Sequence, residues 1–400
     1  MPMAFYRVLT RERLATLSGP RPPASRVMSA PDLNESVVAR EVRGQHALPD
    51  DLHPRHLALR LVEIAGLIAL VVIAISAFPN LEEVRIRLES ADAVWIALLV
   101  VAEIGSCAGY MLVFRATFCS RMPWGLSYDI SMAELAADSL LPAGGAGGLA
   151  LGAWALHGAG MQTSHITRRS VAFFVVTSAA NFFALIFVGI GVFVGIVPGR
   201  SSAVLTLVPA LITALGVVVV AGSPRLLRRP GKPDPVRAPS GWGGRASLAV
   251  RTGLTTVADG VDQAIALLRS HGFGSIAGSF SYMAFDIAAL GFAFMAVGHA
   301  PPFGTLVLGY LIGQLGNLIP VPGGIGSTEG ALIGVFALYG VNLTEATAAV
   351  FAYRLFQLSI PAVLGAPAFV ALRRKLLRAQ QPALVCDPLG QEAVELPGTS

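Results

Sequence analysis

Six ionisable residues fall inside otherwise apolar stretches of this 400-residue chain, and they are the strongest candidates for chemistry. They are Glu103, Glu134, Asp138, Asp286, Glu329 and Arg354. A charged side chain at membrane depth is costly, so such residues tend to mark substrate pathways or buried ion pairs. Arg354 and Glu329 are predicted to meet, because each falls deep within an apolar segment and pairing lowers the cost of burying both.

The Arg354–Glu329 pair has two open interpretations. In the first, Arg354 holds an anionic head group, and Glu329 orients that group or exchanges with it. In the second, the pair is a structural lock between a broken hairpin and the last span. Asp286 is predicted to be a further polar partner of the same hairpin.

Glu134 and Asp138 are four residues apart, so they share one face of a helix. Two carboxylates this close in a low dielectric do not both ionise readily, which favours proton coupling. A solvated vestibule on the cytoplasmic side explains the same spacing equally well. Glu103 is expected either to pair with Arg115 or to face the cavity.

The composition is that of a polytopic membrane protein and excludes a soluble enzyme. Hydrophobic residues make up 54% of the chain, charged residues only 13%, and the mean hydropathy is +0.66. The net charge of +5 is not a nucleic-acid signal, because the basic residues lie in loops and tails between apolar spans. No nucleotide-binding loop is present in the sequence, and no cofactor or metal is predicted.

Two apolar stretches, at 130–160 and 303–340, are broken by proline and glycine. In the second, Pro320 and Pro322 are followed closely by three glycines, so no continuous helix is expected. The flanks, about 304–319 and 327–340, are each shorter than the ~20 residues that a bilayer crossing needs. Each stretch is therefore predicted to be a re-entrant hairpin whose freed backbone is covered by protein or lines a watery cavity.

The helices that restart after these breaks point their N-termini into the predicted cavity. Such ends suit a phosphate or a carboxylate. The substrate-binding prediction therefore includes Gly144, Gly145, Gly323, Gly324, Gly326 and Ser327, together with Arg354, Glu329, Asp286, Glu134 and Asp138. Ser327 and Thr328 would otherwise be simple N-caps. Gln314 and Asn317 are expected to satisfy the broken backbone near Pro320.

Six full spans are predicted, at about 57–78, 93–114, 171–197, 203–222, 275–298 and 346–372. A basic loop is predicted at 223–272, and apolar residues at helical spacing within it indicate either an interfacial helix or a plain amphipathic connector. The polar tails are 1–56, predicted to be disordered, and 373–400.

The distribution of Lys and Arg predicts that both termini are cytoplasmic. Segments 1–56 and 223–272 each carry eight Lys or Arg, whereas segment 79–92, on the other side, carries two. Positive residues accumulate in cytoplasmic loops, so this asymmetry sets the orientation.

Residues 57–197 and 203–372 repeat one order of elements: span, span, broken hairpin, span. The stretch Ser139–Gly147 parallels Asn317–Gly326 in its polar start, its proline and its glycines. The charge distribution places the two hairpins on opposite sides of the membrane. Paired interrupted segments in an inverted repeat indicate a transporter with its binding site between them.

The run Asn317–Gly326, followed by Glu329, Tyr339-Gly340 and Ala352-Tyr353-Arg354-Leu355, resembles the lysylphosphatidylglycerol synthase transmembrane (flippase-like) family. The resemblance covers about 60–372 and implies a multi-pass protein of the bacterial inner membrane. Many members have arginine, glycine and glutamate after the first-hairpin proline, whereas here Pro142 is followed by Ala143 and a glycine-rich run. The aminoacyl-transferase domain of the bifunctional members is expected to be missing, so the resemblance implies the translocase half alone.

The sequence therefore predicts an all-α membrane protein that moves an amphiphilic phospholipid or lipid-linked anion between leaflets, and that is not an enzyme. One alternative is a membrane enzyme or accessory subunit acting on lipid-linked sugars. Another is a scaffold for a separate partner. The predicted partners are membrane lipids and no nucleic acid. A homo-oligomer or a separately encoded lipid-modifying enzyme stays open.

Overall fold

The computed structural model describes residues 82–140, 146–227, 242–318 and 326–377, and all regular secondary structure in these ranges is helical. The helices are α1 (Glu82–Glu89), α2 (Ala93–Phe118), α3 (Trp124–Leu140), α4 (Ala146–Gly158), α5 (Thr163–Phe193), α6 (Val208–Leu227), α7 (Trp242–Val297), α8 (Phe303–Gly313), α9 (Ser327–Leu338) and α10 (Leu343–Leu377). A π-helical turn, Ala203–Leu207, precedes α6, and a 3₁₀ turn, Gln314–Leu318, follows α8. The predicted all-α class is confirmed for these residues.

Four helical segments are long and apolar enough to cross a membrane: α2, α5, Phe273–Val297 of α7 and Leu343–Leu376 of α10. They match four of the six predicted spans. The predicted span at 57–78 lies outside the described residues, as do the tail 1–56 and the end of the tail 373–400. The span predicted at 203–222 is helical and comprises the π-helical turn and the first part of α6.

The prediction of a loop at 223–272 followed by a separate span at 275 is wrong for the residues described. Helix α7 runs without interruption for 56 residues, from Trp242 to Val297. The sequence contains no proline between Pro239 and Pro301, so nothing within this stretch removes a backbone donor or blocks the preceding turn. The predicted amphipathic helix is thus the first part of α7, continuous with the span.

The segments predicted to be cytoplasmic gather at one end of the helix bundle. Lys375, in the last turn of α10, forms an ion pair with Asp129 of α3. A guanidinium nitrogen of Arg169 donates to the carbonyl oxygen of Thr117 at 3.1 Å. Gly158, the last residue of α4, packs beside Leu376 of α10. Helix α3 therefore begins, and α4 ends, at the end of the bundle where α10 terminates.

The segments predicted to be external gather at the opposite end. They enclose a cavity of about 310 Å³ whose lining includes Arg200, His299, Tyr339 and Glu345. The backbone N–H of His299 donates to Glu345 at 2.6 Å, which ties the start of α10 to the chain after α7. At ~1.5 Å per residue, α10 separates the two ends by about 50 Å. Helix α8 begins and α9 ends here, so the two helix pairs start from opposite ends of the bundle.

Helices α2 and α7 run antiparallel and pack with almost no gap. A Cβ added at Gly109 of α2 would lie 2.5 Å from the backbone nitrogen of Tyr282. A Cβ added at Gly278 of α7 would lie 2.5 Å from the backbone nitrogen of Val113. Small residues such as Gly109 and Gly278 allow such close approach. The polar residues of the two helices consequently share one interior.

Candidate functional site: a buried polar chamber

The predicted pairing of Arg354 with Glu329 is confirmed. Arg354 of α10 places its Nε 2.8 Å from Oε1 of Glu329 on α9, and the two residues are only 5% and 7% exposed. The second carboxylate oxygen of Glu329 accepts the backbone N–H of Gly326 at 2.6 Å. Two charges can be buried when they are in contact and further hydrogen bonds satisfy their remaining polar atoms, as they do here for Glu329.

Gly326, rather than Ser327 or Thr328, is the N-cap of α9. Its φ of +86° lies in the left-handed region, which a residue with a side chain rarely adopts. Glu329 therefore has two contacts from one position, the guanidinium of Arg354 and the first turn of its own helix. The prediction that Ser327 or Thr328 caps this helix is wrong.

Asp286 of α7 lies at the centre of the same interior and is 3% exposed. Its carboxylate accepts three donors: the hydroxyl of Tyr310 at 2.5 Å, the hydroxyl of Tyr353 at 2.7 Å and the side-chain amide of Gln357 at 3.2 Å. Because Tyr310 belongs to α8, the prediction that Asp286 is a partner of the second hairpin is confirmed. Three donors satisfy the hydrogen-bonding capacity of this buried carboxyl group.

Gln357 joins the two charged groups into one network. Its amide oxygen accepts from Nη1 of Arg354 at 2.5 Å, while its amide nitrogen donates to Asp286. We call the connected set the chamber. Its members come from four helices and are Asp286, Tyr310, Glu329, Tyr353, Arg354 and Gln357.

A string of polar side chains connects the chamber to the surface. Asn317 is exposed and donates to the side-chain oxygen of Gln314 at 2.5 Å. Gln314 in turn donates to the hydroxyl of Tyr353 at 3.5 Å. Thr328 donates to Asn317 at 2.5 Å and fastens the string to α9. Gln314 and Asn317 were expected to satisfy the broken backbone near Pro320, which lies outside the described residues. Among the described residues, they bond to side chains.

Glu103 of α2 faces the chamber from its other side. It is 3% exposed and lies within electrostatic reach of both Asp286 and Arg354. It does not pair with Arg115, which donates to the carbonyl of Met122 at 2.8 Å. Of the two placements expected from the sequence, pairing with Arg115 is wrong.

The first hairpin holds its two acids against glycines. Glu134 and Asp138 share one face of α3, as predicted. A Cβ added at Gly152 of α4 would lie 3.0 Å from the carboxylate of Glu134, and one added at Gly148 would lie 2.5 Å from that of Asp138. Oδ1 of Asp138 accepts the backbone N–H of Gly148 at 2.7 Å. These acids form a second cluster, between α3 and α4. The predicted ligands Gly144, Gly145, Gly323 and Gly324 lie outside the described residues.

The neutral members of the chamber, Tyr310, Tyr353 and Gln357, were not predicted from the sequence. One signal was available, because Tyr353, Arg354 and Gln357 follow one another at helical spacing around the deepest arginine. A tyrosine in an apolar helix is otherwise indistinguishable from a packing residue. Its role here depends on Asp286, which is 67 positions away from Tyr353 in the sequence.

The chamber contains donor groups of the kind that can bind an anion. It offers a guanidinium, whose planar fork suits phosphate and carboxylate, beside two phenol hydroxyls and an amide. In the structure these donors are held by Glu329 and Asp286. An incoming anion would therefore have to exchange with a protein carboxylate. No cluster of three or more His, Cys, Asp or Glu side chains that could hold a metal occurs among the described residues.

Comparison with known proteins gives two findings. A family model described as the lysylphosphatidylglycerol synthase TM region matches residues 60–365, which include every member of the chamber. A UPF0104 membrane protein from Methanothermobacter thermautotrophicus is 35% identical over 88 residues. That alignment covers 22% of this chain and 25% of the relative, so the chain spans about a quarter of the length of the curated relative that it matches.

Proposed function

Because the chain belongs to the lysylphosphatidylglycerol synthase TM region family, and because its buried charges form one connected chamber, we propose that it is a lipid translocase. The cargo is an amphiphilic phospholipid or lipid-linked anion, carried between leaflets with its head group in the chamber. The acyl chains stay outside the bundle in the membrane. The proposal is transport rather than catalysis, because the charged groups of the chamber hold one another instead of facing a reacting atom.

The observation that carries the proposal is the polar string from exposed Asn317 to buried Asp286. A head group that leaves water needs a partner at each step, since an unsatisfied polar group in hydrocarbon costs several kcal/mol. The string supplies amide and hydroxyl groups at hydrogen-bonding distance, through Gln314 and Tyr353. Its inner end lies beside Arg354.

Arg354 is proposed to bind the anionic group of the cargo by exchange with Glu329. The guanidinium has five donors, and an ionised phosphate oxygen competes for them as well as a carboxylate does. Glu329 keeps its contact with the Gly326 N–H when Arg354 turns away. The released carboxylate thus retains one hydrogen bond, which lowers the cost of the exchange.

The proposed membrane arrangement places the two hairpins on opposite faces. Helices α3 and α4 form the hairpin at 130–160, and α8 and α9 form the hairpin at 303–340, each re-entrant, within an inverted repeat of six full spans. The support is that the two helix pairs begin from opposite ends of the bundle. The proposed location is the bacterial inner membrane, with both termini cytoplasmic and Lys375 at the cytoplasmic end.

Leaflet transfer in reconstituted vesicles tests the proposal. Purified protein is incorporated into liposomes that carry fluorescent phosphatidylglycerol, phosphatidylethanolamine or a cationic lipid, and the fraction protected from an external quencher is followed over time. We expect transfer of the anionic lipid above the rate in protein-free liposomes, reduced in Arg354→Met and kept in Arg85→Gln, an exposed control. No transfer of any of the three lipids above background would overturn the proposal.

A further inference from the structure

A polar cavity lies at the end of the bundle opposite to Lys375, and its lining shares no described residue with the chamber. Its volume is about 310 Å³, and its walls are the segments that join α5 to α6, α7 to α8 and α9 to α10. At ~30 Å³ for each water molecule, this is room for about ten waters, enough for a small anion and part of its hydration shell. We call it the Arg200 cavity.

The walls of the Arg200 cavity are held by hydrogen bonds between segments that are far apart in the sequence. The backbone N–H of Gly304, in the first turn of α8, donates to the carbonyl oxygen of Pro198 at 2.8 Å. The hydroxyl of Tyr339 donates to the carbonyl oxygen of Leu205 at 2.7 Å. A cavity whose walls are fixed in advance loses little conformational freedom when it binds a ligand, and this favours affinity.

Arg200 is held in this cavity without a carboxylate partner. Gly340 has a φ of +83°, and a Cβ added there would overlap the guanidinium of Arg200, so the guanidinium occupies the space that a side chain would fill. The backbone N–H of Arg200 donates to the hydroxyl oxygen of Thr305, which is 2% exposed. No ion pair of Arg200 occurs in the part of the chain that the structure describes.

Glu345, the acidic residue of the described lining, is engaged by other groups. One of its carboxylate oxygens accepts the backbone N–H of His299 at 2.6 Å. A Cβ added at Gly298 would meet this oxygen and would lie 3.2 Å from Nη1 of Arg87, so the arginine of α1 lies beside the acid. The charge of Glu345 is therefore offset by Arg87 and does not cancel that of Arg200.

Two further side chains of the lining can donate to an anion. The imidazole of His299 is exposed, and it donates from one nitrogen when neutral and from both when charged. The side-chain oxygen of Asn342 accepts the backbone N–H groups of Thr344 and Glu345 at 2.9 Å and 3.2 Å. This leaves the amide nitrogen of Asn342 with no partner among the described residues.

We propose that the Arg200 cavity is an anion-binding site, with Arg200 as its charged ligand and with His299 and Asn342 as further donors. The ligand is a phosphate group, because the planar fork of a guanidinium matches two of its non-bridging oxygens. A free phosphate ion and the phosphate of a lipid head group offer the same chemistry. The proposal does not rest on lipid transport, because binding at this site requires no movement between leaflets.

The phosphorus NMR linewidth of inorganic phosphate tests the site with a soluble anion. The full chain is purified in a phosphate-free maltoside detergent and titrated at constant ionic strength, because salt screens exposed charges. We expect saturable broadening in wild type, with an apparent affinity about fivefold weaker in Arg200→Gln, the upper end of what an exposed charge contact contributes. Arg85→Gln removes the same charge from α1, outside the cavity lining, and should match wild type.

Spin-labelled lipids test the site with a lipid phosphate. In reconstituted membranes, the motionally restricted fraction of spin-labelled phosphatidylglycerol is compared with that of spin-labelled diacylglycerol, which lacks the phosphate. We expect wild type and Arg85→Gln to restrict phosphatidylglycerol in preference to diacylglycerol, and Arg200→Gln to lower this preference.

The two probes together decide the proposal. A response of either probe that Arg200→Gln lowers supports the site, and the probe that responds identifies the source of the anion. A folded Arg200→Gln variant that equals Arg85→Gln with both probes would overturn the proposal, and so would a wild-type protein that responds to neither. If Arg200→Gln does not fold, His299→Gln is judged by the same criterion. Neither probe measures transfer between leaflets, so failure of this site leaves lipid transport standing, and failure of lipid transport leaves this site standing.

Discussion

Removing one member of the Arg354–Glu329 pair should destabilise the protein strongly. Both side chains are buried, with only 6% and 9% of their surface exposed. Nε of Arg354 lies 2.8 Å from Oε1 of Glu329. Breaking such a pair leaves one charge buried without its counter-charge, which typically costs about 3–5 kcal/mol. We expect Arg354→Met and Glu329→Leu each to lower the free energy of unfolding by that amount.

An exposed ion pair provides the matched control. Arg85 and Glu89, one helical turn apart on α1, are 46% and 67% exposed and lie 3.4 Å apart. Pairs of this kind contribute about 0.3–0.5 kcal/mol, because solvent screens them and side-chain entropy opposes them. The same substitutions, Arg85→Met and Glu89→Leu, should therefore have nearly undetectable effects.

The assay is reversible unfolding in mixed micelles with increasing denaturing detergent, applied to both single variants and to the double variant. The double variant removes both charges of the pair, so neither is left without its counter-charge, and its loss should be no greater than that of either single variant. If the loss of the double variant equals the sum of the two single losses to within about 0.5 kcal/mol, the reasoning is refuted. Additive losses would mean that the two charges do not compensate one another.

The double variant also separates the two interpretations of the pair. If Arg354 binds the cargo, the folded double variant has lost the guanidinium and should transfer no lipid above background. If the pair is only a structural lock, the same protein should transfer lipid at the wild-type rate. Stability and transfer measured on one preparation distinguish a folding defect from a binding defect.

Two further substitutions test the chamber and the packing around it. Tyr353→Phe removes the hydroxyl that donates to Asp286 at 2.7 Å and should lower the free energy of unfolding by about 1.5–3 kcal/mol. Tyr339→Phe removes a hydroxyl bonded to a neutral carbonyl and should cost about 0.5–1.5 kcal/mol, so equal losses would contradict a charged Asp286. Gly109→Ala should destabilise, because its Cβ would meet the backbone of α7. Gly216→Ala should raise the free energy of unfolding by up to about 1 kcal/mol, because the added Cβ would have no neighbour within 4 Å outside its own helical turn. A Gly109→Ala variant as stable as wild type would contradict the close packing of α2 and α7.

The sequence predicted the charged part of the chamber well, for a physical reason. A charged side chain in an apolar segment is costly unless it is paired, so Arg354, Glu329 and Asp286 could be expected to lie close to one another. The neutral members could not be predicted in the same way. A tyrosine or glutamine at membrane depth is compatible with packing alone, and its partner is set by how distant helices approach.

The length of α7 was the main error in the fold. The basic residues of 223–272 suggested a loop, because charge is the usual mark of a segment outside the membrane. Charge does not end a helix that projects into water, whereas proline does, and the prolines lie only at the two edges of α7.

The central claim, that an anionic head group enters the chamber along the polar string, is tested most directly by photo-crosslinking. A photoreactive amino acid is placed at Asn317, where the string reaches the surface, and at Phe187, which is 70% exposed on the outside of α5. We predict that the Asn317 position captures labelled phosphatidylglycerol in preference to phosphatidylethanolamine, and that Arg354→Met removes the preference. Equal capture of both lipids at both positions would contradict the account.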